Sequence, residues 1–119
     1  MDILIHEMNN TKIAEITSEI ILVSNPEDSL QILADIYYQD IDKIILHEKN
    51  FNPEFFELKT GMAGEILQKY SNYKVRLAIV GDFSNYKSKS LKDFIFESNK
   101  KNQINFTRSV EEALQKLLL

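Results

Sequence analysis

Three side chains capable of acid–base or nucleophilic chemistry follow two apolar segments of this 119-residue chain. His47 ends the segment KIILH, and Asp82 and Ser84 come just after the segment VRLAIV. In open α/β sheets, ligand sites gather where the carboxyl ends of parallel strands meet. One hypothesis is therefore a small enzyme or ligand-binding domain in which His47 acts as a base, oriented by Asp82 or Glu48, with Ser84 or Thr60 as the nucleophile.

Two features of the sequence argue against a catalytic or metal site. Ser84 lies in an ordinary Asp-x-Ser turn, and the chain contains no G-x-S-x-G nucleophile elbow. His47, Glu48 and Asp82 could supply three metal ligands, but neighbouring strand residues point to opposite faces of a sheet. At most one of His47 and Glu48 can then face a given site. We therefore expect no metal and no other cofactor, and the enzyme remains the alternative hypothesis.

A different kind of site is indicated by Thr60 and Gly61, which precede a helical pattern. A hydroxyl at a helix N-terminus lies among backbone N–H groups that have no intrahelical partner, and Gly61 and Gly64 leave its surroundings open. A phosphate on Thr60 would be stabilised there. The other interpretation is that Thr60 is only an N-cap. The spacing Gly61-x-x-Gly64 lacks the lysine of a nucleotide-binding P-loop, which excludes a Walker-type ATPase.

Polar residues on either side of three phenylalanines predict an interaction surface at the same edge of the sheet. These polar residues are Glu48, Asn50, Asn52 and Glu57. The phenylalanines could form an exposed binding surface, since exposed apolar patches mark interfaces. We instead expect at least two of them to close the end of a small core; they are Phe51, Phe55 and Phe56.

The N-terminal elements are predicted from apolar spacing and capping. An antiparallel hairpin of Asp2–Glu7 and Lys12–Thr17 is predicted at the edge of the sheet, from the spacing of Ile3 and Ile5 and of Ile13 and Ile16 on either side of a turn at Asn9-Asn10. A first helix is predicted over Pro26–Tyr38, because proline and two carboxylates follow a cap residue. Its apolar positions at helical spacing are Leu30, Leu33, Ala34 and Tyr37.

The middle of the chain reads as a strand, a helix and a second strand. Lys43–Glu48 and Val75–Val80 contain continuous apolar runs, typical of strands buried on both faces. A helix over roughly Thr60–Ser71 separates them. This βαβ arrangement predicts parallel strands joined by a right-handed crossover.

The last elements are predicted in the same way. A third helix covers Leu91–Lys100, with Ser88 or Ser90 as its cap, and a short strand follows at 104–106. Ser109 and Glu112 have the spacing of a capping box and open a terminal helix. The sequence thus predicts an α/β fold: a mixed sheet of four to five strands with about four helices, in which the later strands are parallel.

Length and composition limit the class of protein. The chain has the size of one domain, so we expect a single domain over 1–119. Its net charge is −4, and residues 1–68 carry 4 basic and 13 acidic side chains. Nucleic acid is a poor partner for such a surface, because backbone binding rests on clustered cations.

The same features bear on where the protein works. The N-terminal residues do not form a signal peptide, and no apolar run is long enough for a membrane span, so we expect a cytoplasmic protein that does not bind membranes. The chain contains no cysteine, which excludes thiolate chemistry and is consistent with a reducing compartment.

Three segments of the chain resemble the STAS domain of bacterial anti-sigma-factor antagonists: Phe51–Gly64, Lys74–Asp82 and Val110–Leu114. In that family a phosphorylatable Ser or Thr precedes a Gly at a helix start, and the matching pair here is Thr60-Gly61. An Asp normally stands two residues before the phosphorylated residue, whereas this chain has Leu58. The run His47–Ser84 resembles, more closely, a bacterial family known as domain of unknown function 4180, over nearly the whole chain.

Together these resemblances imply a non-enzymatic, STAS-like regulatory or protein-interaction module. They imply a protein partner such as an anti-sigma factor or a kinase. The oligomeric state is left open by the sequence.

Overall fold

The core of the structure is one five-stranded mixed sheet. The computed structural model describes all residues, 1–119. The strands are β1 (Asp2–Met8), β2 (Thr11–Thr17), β3 (Lys43–His47), β4 (Arg76–Val80) and β5 (Ile104–Thr107). They lie in the order β1-β2-β3-β4-β5, with β1 and β2 antiparallel and the later pairs parallel. The predicted fold class and strand directions are confirmed.

The N-terminal hairpin turns through two asparagines. Asn9 and Asn10 have φ values of 54° and 61°, so both adopt the left-handed conformation of a type I′ turn. This two-residue turn fixes the register, in which Met8 pairs with Thr11 and Asp2 with Thr17.

Four helices connect and cover the strands. They are α1 (Pro26–Tyr37), α2 (Met62–Asn72), α3 (Lys89–Lys101) and α4 (Val110–Leu117). Asn25, Ser88 and Ser109 cap α1, α3 and α4, each accepting a backbone N–H bond with its side chain. Helix α2 begins two residues later than predicted, because three short 3₁₀ segments fill the connection before it. These segments are Glu48–Asn50, Pro53–Phe56 and Leu58–Thr60.

The helices divide between the two faces of the sheet. Helices α1, α2 and α3 share one large core with one face, whereas α4 packs alone against the other face over β3, β4 and β5. The smaller core consists of Ile13, Ile45, Ala78, Val80, Ala113 and Leu117. Three right-handed crossovers between successive neighbouring strands place their helices on one face. The helix after β5 covers part of the second face.

The buried stripe of α1 differs from the sequence prediction. Ile32, Leu33 and Ile36 are buried, while Ala34 and Tyr37 are exposed. The predicted stripe and the observed buried stripe both have helical spacing. The sequence pattern alone could therefore not decide which of two neighbouring helix faces is buried. The three phenylalanines predicted to close the core are all buried, and their rings contact one another.

Candidate functional site

His47 and Glu48 lie at the carboxyl end of β3 and point in opposite directions. His47 Nε2 lies 2.8 Å from Glu15 Oε2, on the face of the sheet that carries α4. Glu48 Oε1 accepts a bond from the backbone N–H of Asp82, at 3.1 Å. The alternation expected for adjacent strand residues therefore separates the two side chains.

Asp82 and Ser84 bond to each other rather than to His47. Asp82 Oδ1 accepts bonds from the Ser84 hydroxyl at 2.5 Å and from the Ser84 backbone N–H at 3.0 Å. These two bonds from Ser84 lower the pKa of the Asp82 carboxyl, which is exposed. Neither residue is hydrogen-bonded to His47, whose ring is held by Glu15. The arrangement of His47, Asp82 and Ser84 as base, orienting acid and nucleophile is not formed in this structure.

Glu48 hydrogen-bonds the connection between β4 and α3 to the end of β3. Its Oε2 accepts a bond from the Tyr86 hydroxyl at 2.5 Å, while its Oε1 holds Asp82 N–H. Burial raises the pKa of Tyr86, and the bond to the negatively charged Glu48 raises it further. Gly81 permits this approach, because a Cβ there would lie 2.5 Å from Glu48 Cβ. Glu48 therefore has a structural role, although it was predicted to belong to an interaction surface.

Asn50 is fully buried, so it cannot contribute to the predicted interaction surface. Its amide nitrogen donates to Ser18 O and Ile20 O, and its Oδ1 accepts the N–H of His47. All three partners are backbone groups, which satisfies the buried amide. The side chain ties the segment after β2 to the segment after β3.

Asn52 and Glu57 are the remaining residues of that predicted surface. Asn52 is half-buried and caps a 3₁₀ segment, its Oδ1 accepting from Glu54 N–H at 3.0 Å. The side chain of Glu57 is exposed. Of the predicted interaction surface, Glu57 is exposed. It lies beside two further exposed residues, Lys59 and Thr60, just before α2.

Thr60 is exposed and holds the turn that leads into α2. Its hydroxyl lies 2.9 Å from Glu57 O and 3.2 Å from Glu54 O, both acceptors, and it accepts the N–H of Met62 at 3.2 Å. The residue at the N-cap position is Gly61, with a φ of 78° that favours glycine. A Cβ built at Gly61 or Gly64 would have no atom within 4 Å apart from its chain neighbours and the local helix backbone. Thr60 was predicted to occupy the N-cap position, but it lies one residue before that position. Its hydroxyl still accepts a backbone N–H bond from the first residue of the helix.

A polar cluster that the sequence analysis did not identify lies on the face of the sheet that carries α4. Both histidines of the chain bond to one buried carboxylate: His6 Nε2 lies 2.9 Å from Glu15 Oε1, and His47 Nε2 lies 2.8 Å from Oε2. Burial raises the pKa of Glu15, but the bonds and charges of the two histidines outweigh burial and hold the pKa below its ordinary value.

Part of this cluster could have been found from the sequence. Once the Asn9-Asn10 turn fixes the hairpin register, Leu4 lies opposite Glu15, and His6 lies diagonally across from Glu15 on the same face. The contribution of His47 depends on β3 lying beside β2, which no local pattern specifies. No group of three or more His, Asp or Glu side chains is arranged to hold a metal ion.

The cavities do not unite the predicted site residues. An open depression beside the end of β4 is lined by Gly81, Asp82, Ser84 and Arg108, without His47 or Thr60. A groove of about 590 Å³ lies at the opposite end of the parallel strands, where Tyr37, Tyr73 and Lys74 contribute to its wall. A preformed catalytic pocket normally brings its catalytic groups together, and neither depression contains His47 together with Asp82 and Ser84.

Fold and site together define a mixed α/β domain in which His47, Asp82 and Ser84 do not converge. The chain belongs to the family described as a domain of unknown function, DUF4180, whose model matches residues 8–117. The family expected from the run His47–Ser84 is thereby confirmed.

A solved structure from Thermotoga maritima, described as a candidate anti-sigma factor antagonist, is similar to this chain. It shares 12% identity, with 98% of this chain and 95% of that chain covered, at a TM-score of 0.48. The comparison with curated proteins gave no significant match. None of the helices has the length and apolar character needed to cross a membrane.

Proposed function

We propose that this protein is a non-enzymatic regulatory module that binds a protein partner through the exposed segment Glu57–Gly61 at the start of α2. The observation that carries the proposal is the exposure of Thr60 beside Gly61. The segment combines an acidic, a basic and a hydroxyl side chain, namely Glu57, Lys59 and Thr60. Such a mixed polar surface suits reversible contact with another protein.

The rigidity of this segment supports the proposal. Phe55 and Phe56, immediately before it, are buried in the large core. Downstream, the Thr60 hydroxyl bonds to the backbone of Glu57 and Met62. A surface held in place at both ends loses little conformational entropy when it binds.

The surroundings of Thr60 also support regulation through this residue. A phosphate on Oγ1 would lie at the N-terminus of α2, where the helix dipole and free N–H groups favour negative charge. Gly61 and Gly64 leave space around it. A kinase acting on Thr60 and an anti-sigma factor binding the segment are the partner classes that follow from the sequence resemblance.

The engagement of His47 weighs against the alternative of an enzyme at this edge. A general base must reach the proton it removes, and His47 Nε2 is already bonded to Glu15 rather than directed to Asp82 or Ser84.

The proposal is tested by affinity capture from the native host, using the wild-type chain and Thr60→Glu. We expect Thr60→Glu to change the amount of the captured protein several-fold, because a carboxylate replaces the hydroxyl at the centre of the contact. Thr60→Ser should behave like the wild type, since it keeps the hydroxyl. Ser90→Glu is the matched control: it adds the same charge to the first turn of α3, at another exposed hydroxyl.

Circular dichroism of each variant shows whether the fold is retained. The proposal would be wrong if Thr60→Ala and Thr60→Glu, both with native spectra, captured the same amount of the partner protein as the wild type. An equal effect of Ser90→Glu would show that charge in general, rather than this segment, controls binding.

A further inference from the structure

Strand β1 presents a long unpaired edge. It occupies one end of the sheet, and all seven of its residues pair with β2 in unbroken register on the other side. The opposite edge is different, because β5 has only four residues, and all four are buried. A free strand edge exposes backbone N–H and C=O groups that can pair with another chain.

Several of the usual protections of an edge strand are missing from β1, and its acidic side chains, Asp2 and Glu7, lie near its two ends. Its sequence, DILIHEM, contains neither lysine nor proline, and the regular pairing with β2 shows no bulge. Leu4 is 52% exposed and Ile5 is 38% exposed, on opposite faces of the strand. Apolar side chains therefore flank the free backbone groups on both sides.

The sequence of β1 is complementary to itself when it is reversed. If Leu4 lies opposite Leu4 of a second copy, then Ile3 lies opposite Ile5, and Asp2 lies opposite His6. Directly opposed residues of an antiparallel pair share a face, so apolar residues meet apolar residues, and an acid meets an imidazole. Because His6 bonds to Glu15 through Nε2, its Nδ1 remains available to Asp2 of the second copy.

We propose that β1 is a homodimerisation edge, at which two copies of this chain pair β1 with β1 antiparallel across a two-fold axis at Leu4. The result is a continuous ten-stranded sheet in which the edge is buried by the same edge of the other copy. This isologous contact closes on itself, so it limits assembly to a dimer. It leaves Thr60 outside the contact and is independent of the function proposed for that residue.

The first test is the mass of the full chain in solution, measured by sedimentation equilibrium over a range of concentrations. We expect a monomer–dimer equilibrium for the wild type. In Leu4→Lys, two like charges face each other on the axis and an apolar contact is lost, so we expect the dissociation constant to rise about tenfold or more. Phe96→Lys is the control, because it places the same charge at an exposed apolar residue on α3.

The second test uses the absence of cysteine from the chain. Under mild oxidation, Leu4→Cys should form a disulfide-linked dimer, since the two Cβ atoms would lie about 5 Å apart. Glu7→Cys is the matched control on the same strand. In the proposed register its two copies are about 20 Å apart, too far to be bridged.

A wild-type chain that stays monomeric at high concentration would overturn the proposal. A dimer that persists unchanged in Leu4→Lys, or that crosslinks through Glu7→Cys rather than Leu4→Cys, would also overturn it. Retained circular dichroism spectra show that the variants are folded, and the crosslinking test does not depend on the lysine substitution.

Discussion

Glu15 illustrates how partners from other strands determine the role of a single residue. In the sequence it is one polar position in a predicted strand, and an isolated glutamate is normally exposed to solvent. In the structure it is buried, with one carboxylate oxygen for each of two histidines from the neighbouring strands β1 and β3. A buried carboxylate needs such partners, because an unpaired one would carry a large desolvation cost. The cluster therefore joins three strands on the part of the sheet nearest the free edge.

We expect Glu15→Gln to destabilise the protein by about 1–3 kcal/mol at pH 7, because the amide cannot replace the charge-assisted bonds to both histidines. Urea unfolding followed by circular dichroism measures the change. Glu7→Gln, an exposed substitution in the same hairpin, is the control and should change stability by less than about 0.5 kcal/mol. An equal effect of the two substitutions would contradict a specific role for Glu15.

The pH dependence follows from the lowered pKa of Glu15. A carboxyl whose pKa is lower in the folded state contributes stability above its unfolded pKa of about 4.3, and this contribution is lost as pH falls through the lowered folded value. The stability difference between wild type and Glu15→Gln should therefore shrink as the pH falls below about 4.

Residue positions were more predictable than residue partners. The sequence placed His47 at the end of a buried strand, and that is where it lies. It could not indicate that Glu15, 32 positions away, would bind the imidazole, because strand neighbours are chosen by packing of the whole sheet. Asn50 shows the same limit, since its burial depends on a loop formed by residues 18–23.

The elements were predicted well where a local signal marks their ends. Proline at the start of α1, the Ser109 cap of α4 and the Asn9-Asn10 turn each act within a few residues. The connection after β3 was not predictable in the same way. Its three 3₁₀ segments depend on burial of the phenylalanines and on backbone bonds between Leu22, Val23 and Asn50.

At the scale of elements, replacing Gly81 and Gly64 by alanine should change the stability of the protein in opposite directions. In Gly81→Ala the new Cβ would lie 2.5 Å from Glu48 Cβ, so the connection between β4 and α3 must shift. We expect a loss of about 1–3 kcal/mol, as for other overpacked sites. In Gly64→Ala the new Cβ meets no atom within 4 Å beyond its chain neighbours and the local helix backbone, and the residue lies in helix α2. We therefore expect a gain of about 0.5–1 kcal/mol.

Thermal unfolding of the two variants and the wild type measures both effects. No loss of stability in Gly81→Ala would contradict the packing described around Glu48, and a loss in Gly64→Ala would contradict the open surroundings of Gly64.

At the scale of the molecule, Arg76 connects the sheet to the end of the chain. Its guanidinium donates bonds to the carbonyls of Lys116, Leu117 and Leu119, at the C-terminus of α4, and its Nε donates to Asn102 O. The last carbonyls of a helix have few intrahelical donors, although Lys116 O also accepts the N–H of Leu119 at 3.2 Å. A cation at this end is also favoured by the helix dipole. Arg76 thus anchors the single helix that covers the second face.

We expect Arg76→Met to destabilise the protein by about 1–3 kcal/mol and to loosen the last turn of α4, because four carbonyl groups lose a donor while the aliphatic packing is kept. Hydrogen exchange should accelerate at the amides of 114–118 more than at those of α2. Arg108→Met, which removes an exposed arginine, is the control and should leave the exchange of α4 unchanged. Uniform acceleration across all helices would point instead to global destabilisation.

The strand order has a consequence for how the protein folds. Every strand lies beside the strand that precedes it in the chain, so each new strand can dock as soon as its own crossover is made. Domains begin to fold from the N-terminus during synthesis, and short-range pairing limits the entropy lost at each step. On a ribosome, the sheet can therefore grow strand by strand behind the hairpin. Helix α4, which follows β5 in the chain, would close the second face when the strands it covers are already in place.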